Sequence, residues 1–403
     1  MKKIGQFAAA LVCAATLRAS AQQGMPWNRE VLDKTPQVFD APEFATNDVK
    51  AVFYEGEPYQ GRPTRVFAYY ALPKMEPGKK VPGIVLVHGG GGSAFVRWVR
   101  LWNSRGYAAI SMDTCGAVSG NAYGDEQRGH VRHAWAGPAG WGGFNTSDGP
   151  VKDQWTYHAV AAVVRGHSLL RSLPEVDAGR IGITGISWGG YLTSIVAGVD
   201  DRFVFAVPVY GCGFLGDNSA WLGEFQRMGS ENARKWLGLW DPSAYLPRAK
   251  MPVLWVTGSN DFAYPLDSLQ KSYRSLKAPY TLCVRLRMPH GHGAAGENPK
   301  EICAFAEHFA RGGKPLPEFT SLTREGRKVS ATFSSGPCTV VQAELNYTLD
   351  TGNWKERKWV AEPVAVNACS GAVSADIPAA ATVYYLNLFT EDELVVSSEH
   401  EVL

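Results

Sequence analysis

Between residues 81 and 312 the chain alternates short apolar runs with longer stretches of helical period. Ile84 to Val87, Tyr107 to Met112, Ile181 to Thr184, Phe203 to Val209, Val253 to Val256 and Leu282 to Leu286 read as buried strands. Helices are predicted at Phe95 to Ser104, Pro150 to Leu173, Trp188 to Val199, Leu266 to Ser275 and Pro299 to Ala310. The Pro150–Leu173 segment lines up Trp155, Ala159, Ala162, Gly166, Leu169 and Leu173 on one face, and Pro174 stops it. Continuous apolar strands separated by helices predict an α/β fold, a mostly parallel sheet with helices on both faces. A hairpin precedes it, Val52 to Tyr54 and Val66 to Tyr70, turning at Tyr59 to Pro63.

After Gly312-Gly313 the period changes from helical to alternating. Val329 to Phe333, Thr339 to Tyr347, Trp359 to Val366 and Thr382 to Phe389 predict a small all-β, sandwich-like domain over 318–403. The expected organisation is a catalytic domain at 49–313 followed by this β-rich domain. A polar N-terminal extension, 22–48, wraps the surface.

Residues 1–21 carry Lys2-Lys3, a mostly apolar run from Ile4 to Leu17, and Ala19-Ser20-Ala21. That is the layout of an export signal cleaved after Ala21, which predicts a secreted or periplasmic protein. No other stretch reaches the length of a membrane span. The 403-residue chain carries 40 basic and 38 acidic side chains, a net +2. Without Lys2, Lys3 and Arg18 the balance is 37 − 38 = −1. Such a balance builds no broad positive field for nucleic acid or an anionic membrane. Cys13 leaves with the signal. Of the other six cysteines, Cys338 and Cys369 are the best placed to pair, and Cys115, Cys212, Cys283 and Cys303 read as small buried apolar residues.

The sharpest chemical signal is Gly185-Ile186-Ser187-Trp188-Gly189-Gly190, a G-x-S-x-G between a strand and a helix. This is the context of a nucleophile elbow: a serine on a strained turn, flanked by small residues, with a helix N-terminus behind it. His88-Gly89-Gly90-Gly91-Gly92 follows the first buried strand and can aim backbone N–H groups at an oxyanion. The expected donors are Trp188 and Gly90, with Gly91 as alternate. A serine nucleophile needs a base and a group to orient it. Asp261 follows the strand Val253–Val256, whereas Asp267 falls inside the next helix. His290 and His292 both follow the last strand, in Met288-Pro289-His290-Gly291-His292-Gly293.

On these residues, 49–312 resembles the α/β-hydrolase superfamily, in its dienelactone hydrolase, acetylxylan esterase and prolyl oligopeptidase-like branch. The stretch Val176 to Gly185 running into Ser187-Trp188-Gly189-Gly190 carries the likeness with His88–Gly92, Asp261 and the His290/His292 loop. The resemblance implies a secreted serine esterase without metal or cofactor. It would cleave carboxylic esters, acetyl or related groups on carbohydrate, through an acyl-enzyme. The expected triad is Ser187, Asp261 and His292. His292 is favoured because glycines flank it, because Pro289 ties His290 to the strand, and because relatives place the base in a Gly-His pair. The loop aromatics Trp135 and Trp141, with Tyr210, are the expected substrate contacts on a small-molecule or polysaccharide ester. The aromatics of 115–158 can instead cover the sheet edge, and 211–250 is the expected cap. His130, His133 and His158 lack a carboxylate at ligand spacing and read as structural. The alternatives are a prolyl oligopeptidase-like peptidase, for which the ~60 residues before the core are too few to form a propeller, and an idle carbohydrate-binding scaffold.

Overall fold

The computed structural model describes residues 24–118, 131–367 and 369–403. The predicted export signal and His130 lie outside the described residues.

The chain has the α/β-hydrolase architecture. Strands β1 (Val38–Asp40), β2 (Lys50–Glu55), β3 (Arg65–Ala71), β4 (Val81–Val87), β5 (Ala108–Met112), β6 (Val176–Ile186), β7 (Ala206–Val209), β8 (Val253–Gly258) and β9 (Tyr280–Arg285) order as β1-β2-β3-β5-β4-β6-β7-β8-β9. β5, β4, β6, β7, β8 and β9 run parallel, and β1 to β3 join them antiparallel. Helices α1 (Val96–Ser104), α2 (Trp155–Ser172), α3 (Trp188–Val199), α4 (Leu222–Trp240), α5 (Leu266–Ser275) and α6 (Lys300–Arg311) cover the sheet. β4 is buried from Pro82 to Val87, as a strand covered on both faces must be. α2 starts at Trp155, after a 3-10 turn at Val151–Asp153, rather than at Pro150.

The N-terminal extension does more than wrap the surface. Phe39 pairs with Phe53, so β1 extends the sheet. Trp27 is buried, stacks on Tyr157 at 6.0 Å, and donates from Nε1 to the Tyr157 carbonyl at 2.8 Å.

Residues 318–403 form two antiparallel layers. One is β10 (Glu318–Glu325), β11 (Lys328–Ser334), β14 (Val366–Asn367) and β15 (Ala372–Asp376), ordered β10-β11-β15-β14. The other comprises β12 (Val340–Thr348), β13 (Trp359–Val364), β16 (Val383–Thr390), β17 (Val395–Ser397) and β18 (Glu401–Val402). This second layer continues the central sheet, because β17 pairs with β9 through Leu282 and Ser397. Alternation along β16 explains the arrangement. Tyr384, Leu386 and Leu388 enter a core shared with Val329, Ala331 and Phe333 of β11. Val383 and Tyr385 point the other way, into the hydrolase core, which also takes Trp354, Trp359 and Val395. Asn387, on that same face, donates to the Val284 carbonyl at 3.2 Å.

Cys338 and Cys369 are not bridged. Cys338 is buried with its thiol directed to the Pro315 carbonyl at 3.3 Å, and Cys369 is exposed. Cys115, Cys212 and Cys283 are buried, and Cys303 is partly so. Among the described residues no helix is long and apolar enough to cross a membrane.

Two expected outcomes follow from this packing. A chain ended after Gly313 exposes the β9 edge and the apolar residues under β16, so it should lose soluble expression or unfold tens of degrees lower in a thermal scan. Recovery of a monomeric, equally stable truncated protein would contradict this account. The second outcome concerns acid. Burial holds His167 down at about 4, although its Asp200 partner opposes this, and holds His400 at about 3. The unfolded chain protonates both below ~6.5. Their contribution is therefore fully present above that pH and is lost as pH falls toward 4, by on the order of 1–2 kcal/mol per histidine at pH 5. Unfolding midpoints at pH 7.5 and 5 should differ accordingly, and the gap should shrink in His400→Phe.

Candidate active site

Ser187 sits between the end of β6 and the start of α3 with φ 57° and ψ −117°, a region a residue with a Cβ enters only when its surroundings hold it there. Its N–H donates to the Val209 carbonyl at 2.8 Å, and its own carbonyl accepts from Tyr191 N–H at 2.9 Å. The turn closes only over glycines. A Cβ on Gly185 would fall onto the Gly189 carbonyl, and one on Gly189 onto the carbonyl oxygens of Val87 and His88. The backbones of α3 and β4 are thus in direct contact.

The serine hydroxyl lies 2.8 Å from Nε2 of His290, and Nδ1 of His290 lies 2.6 Å from Oδ2 of Asp261. Asp261 is buried, and its Oδ1 accepts the N–H groups of Ala263 and Tyr264 at 2.9 and 2.8 Å. With both oxygens engaged, Asp261 fixes which imidazole nitrogen carries the proton and leaves Nε2 facing Ser187. Ser187, Asp261 and His290 follow β6, β8 and β9, all at the carboxyl ends of parallel strands.

The position expected for His292 is occupied by His290. Pro289 ties His290 to the strand end, and this restraint serves the site. The Pro289 carbonyl accepts the Tyr210 hydroxyl at 2.7 Å, and the Tyr210 ring stacks on His290 at 4.6 Å. The flanking glycines serve a turn: Gly293 has φ 83°, and Gly291 packs its carbonyl against Gly296. That turn carries His292 to the Gly-rich loop. Its Nε2 accepts Gly89 N–H at 3.0 Å, and its Nδ1 pairs with Glu297 at 2.9 Å. Burial alone would raise the Glu297 carboxyl, but His292 and the paired guanidinium of Arg97 outweigh it and hold it below its usual range. The signal missed in the sequence was this second carboxylate, five residues after His292.

Tyr210 is likewise not a substrate platform. It is buried, with φ 52°, and supports His290 from below. Trp135 packs on Arg65, whose guanidinium lies 4.3 Å from its ring. Trp141, by contrast, is exposed and reaches the Gly-rich loop: a Cβ on Gly90 would come within 3.1 Å of its Nε1 and 2.6 Å of Trp188 Cδ1. Trp188 opens α3, so its N–H belongs to the first turn that has no partner within the helix. The remaining aromatics of the two insertions pack together. Phe144 stacks on Trp236 at 5.0 Å, and Trp188 meets Trp155 and Trp221 at 5.8 and 4.6 Å. His133 packs against Phe53, and His158 Nε2 bonds the Lys152 carbonyl.

A sheet of this order with a serine elbow, an acid and a histidine at the ends of β6, β8 and β9 is the architecture of an α/β-hydrolase. The acetyl xylan esterase family model matches residues 29–228, and the prolyl oligopeptidase family model matches residues 148–311, a span that holds Ser187, Asp261 and His290. Among solved structures, the acetyl xylan esterase from Paenibacillus sp. R4 is similar at TM-score 0.53 and 22% identity, over 74% of this chain and 93% of that one. Acetyl xylan esterase 1 from Thermoanaerobacterium sp. JW/SL YS485 is similar at TM-score 0.54 and 18% identity, over 70% of this chain and 90% of that one. An uncharacterized peptidase of Bacillus subtilis (strain 168), YuxL, is 26% identical over 220 residues, 51% of this chain. The match spans only 29% of that relative's length. The fold is that of the α/β-hydrolases, and the chain is similar to the acetyl xylan esterase and prolyl oligopeptidase families over the residues matched, which supports a serine hydrolase.

The close approach at residue 189 is itself testable. Gly189→Ala forces backbone against backbone, where no side chain can yield, and should destabilise the fold by about 3 kcal/mol or more. Unchanged thermal unfolding of this variant would mean that the two segments are not in contact.

Proposed function

We propose that the protein is an exported serine esterase acting on acyl esters of carbohydrate, with Ser187 as nucleophile, His290 as base and Asp261 as the group that orients the base. The observation that carries this is the line Asp261–His290–Ser187 at 2.6 and 2.8 Å, with the serine held in a strained turn. Ser187 Oγ attacks the ester carbonyl while its proton passes to His290 Nε2. The N–H groups of Trp188 and Gly90 face the oxyanion. The imidazolium then protonates the departing alcohol, leaving an acyl group on Ser187. Water, deprotonated by the same nitrogen, releases the carboxylic acid and restores the serine.

One comparison and one feature of the site favour an ester over a peptide. The acetyl xylan esterase structures are matched over 93% and 90% of their length, whereas the peptidase relative is matched over 29%. Exposed Trp141 beside Gly90 gives a sugar ring an aromatic face next to the reacting carbonyl. The layout of residues 1–21 supports export. A peptidase reading draws on the prolyl oligopeptidase match across all three residues. Comparing kcat/KM for p-nitrophenyl acetate with that for aminoacyl p-nitroanilides separates the two, and the ester should lead by orders of magnitude.

Ser187→Ala and His290→Ala should each lower ester turnover by about 10⁴–10⁶-fold. His292→Ala frees the Gly89 loop without touching Ser187, so it should fall by only about 10–100-fold. Turnover of p-nitrophenyl acetate and fluorophosphonate labelling at Ser187 are the measurements. An inactive His292→Ala beside an active His290→Ala would reverse the two roles.

A further inference from the structure

A groove of about 410 Å³ opens beside His290, between the loops after β8 and β9 and the turn 355–358 of the C-terminal layer. The triad chemistry makes no use of it. Arg287, Lys355, Arg357 and Lys358 bring four cations to its walls, against the carboxylates of Glu356 and Asp261. Asp261 is already saturated by His290 and two backbone N–H groups. The arginines take uncharged hydrogen-bond partners, with the carboxylates of Asp267 and Asp350 near Arg357. Arg287 donates to the Trp359 carbonyl at 2.9 Å, and Arg357 donates to the Gly352 carbonyl at 3.0 Å with its guanidinium 3.8 Å from the Trp354 ring. Among the described residues neither lysine is paired with a carboxylate, and both are exposed. Phe262, 55% exposed and 4.7 Å from the His290 ring, adds an apolar surface at the same end.

Like charges gathered in a concavity repel one another and focus a positive field, an arrangement that favours an anionic ligand. An aromatic face beside them suits a ring that carries the anion. His290 both lines the groove and lies 2.8 Å from Ser187 Oγ, so the groove adjoins the serine within the reach of one side chain. The turn is held in place from the catalytic side. Asn260, next to Asp261, donates to the carbonyls of Lys355 and Arg357 at 3.1 and 2.7 Å.

We propose that this groove binds an anionic sugar residue of the substrate, its carboxylate or sulfate on the four cations and its ring on Phe262. The inference rests on the esterase reading and adds a substrate class to it: acyl esters of acidic polysaccharide.

The test uses the full-length protein and acetate release from acetylated polygalacturonate, an acetylated sulfated galactan and neutral acetylated xylo-oligosaccharides. One or both acidic chains should be preferred over the neutral one, and which of the two leads tells carboxylate from sulfate. Raising salt should erase the preference. Lys355→Glu/Lys358→Glu should lower the acidic-to-neutral ratio of kcat/KM by about five- to tenfold, and Lys355→Arg/Lys358→Arg should keep it. Equal rates on acidic and neutral chains, or a ratio unchanged in the glutamate variant, would overturn the groove assignment while leaving the esterase reading intact. No hydrolysis of any ester, p-nitrophenyl acetate included, would instead remove the reading on which it rests.

Discussion

At residue 189 two stretches of backbone touch with no side chain between them. The first turn of α3 lies on the carbonyls of Val87 and His88, where β4 ends and the Gly-rich loop begins. One contact therefore sets Ser187 and the Gly-rich loop relative to each other. Ser187 occupies backbone torsions that cost about 1–3 kcal/mol. Its hydrogen bond to Val209 and the packing of α3 hold it there, so the strain is supported by the whole sheet rather than by the turn. His88 extends this rigidity: its Nε2 accepts Thr114 N–H at 3.0 Å and anchors the loop to the end of β5.

The two histidines divide the remaining work. Asp261–His290–Ser187 forms one hydrogen-bonded line, and Arg97–Glu297–His292–Gly89 forms a second. In the second line Gly89 N–H must donate, so His292 Nε2 is an acceptor and its proton sits on Nδ1 toward Glu297. One line presents an imidazole nitrogen to the serine; the other holds the Gly-rich loop. Both leave the same turn, and the restraint from Pro289 and Tyr210 decides which ring reaches Ser187.

The alternation of strands and helices was legible because parallel strands covered on both faces are apolar throughout, a local property. The elbow was legible for the same reason: its steric demands fall within six consecutive residues. The choice between His290 and His292 was not. It depends on Tyr210, 79 residues before Pro289, and on Arg97, 200 residues before Glu297. Glycine content pointed to freedom of movement, whereas a base needs a fixed direction. Tyr210 was misread for a related cause, since burial of an aromatic is settled by partners far along the chain. Cys338 and Cys369 share a segment without sharing a contact. The β-rich C-terminal region was legible from its alternation, but its fusion to the central sheet was not, because Val383 and Tyr385 look like solvent-side positions until the hydrolase surface is placed under them.

That fusion carries consequences for the site. β9 would otherwise be an open edge, and β17 closes it. The same layer anchors itself through Trp354 and Trp359, both buried. The four residues between these anchors, Lys355-Glu356-Arg357-Lys358, have no apolar face to bury and must stay at the surface where the tryptophans put them. That place is beside Asp261 and His290. Covering the sheet edge and shaping the groove are thus results of one constraint, and a change at either tryptophan would move the charges along with the packing.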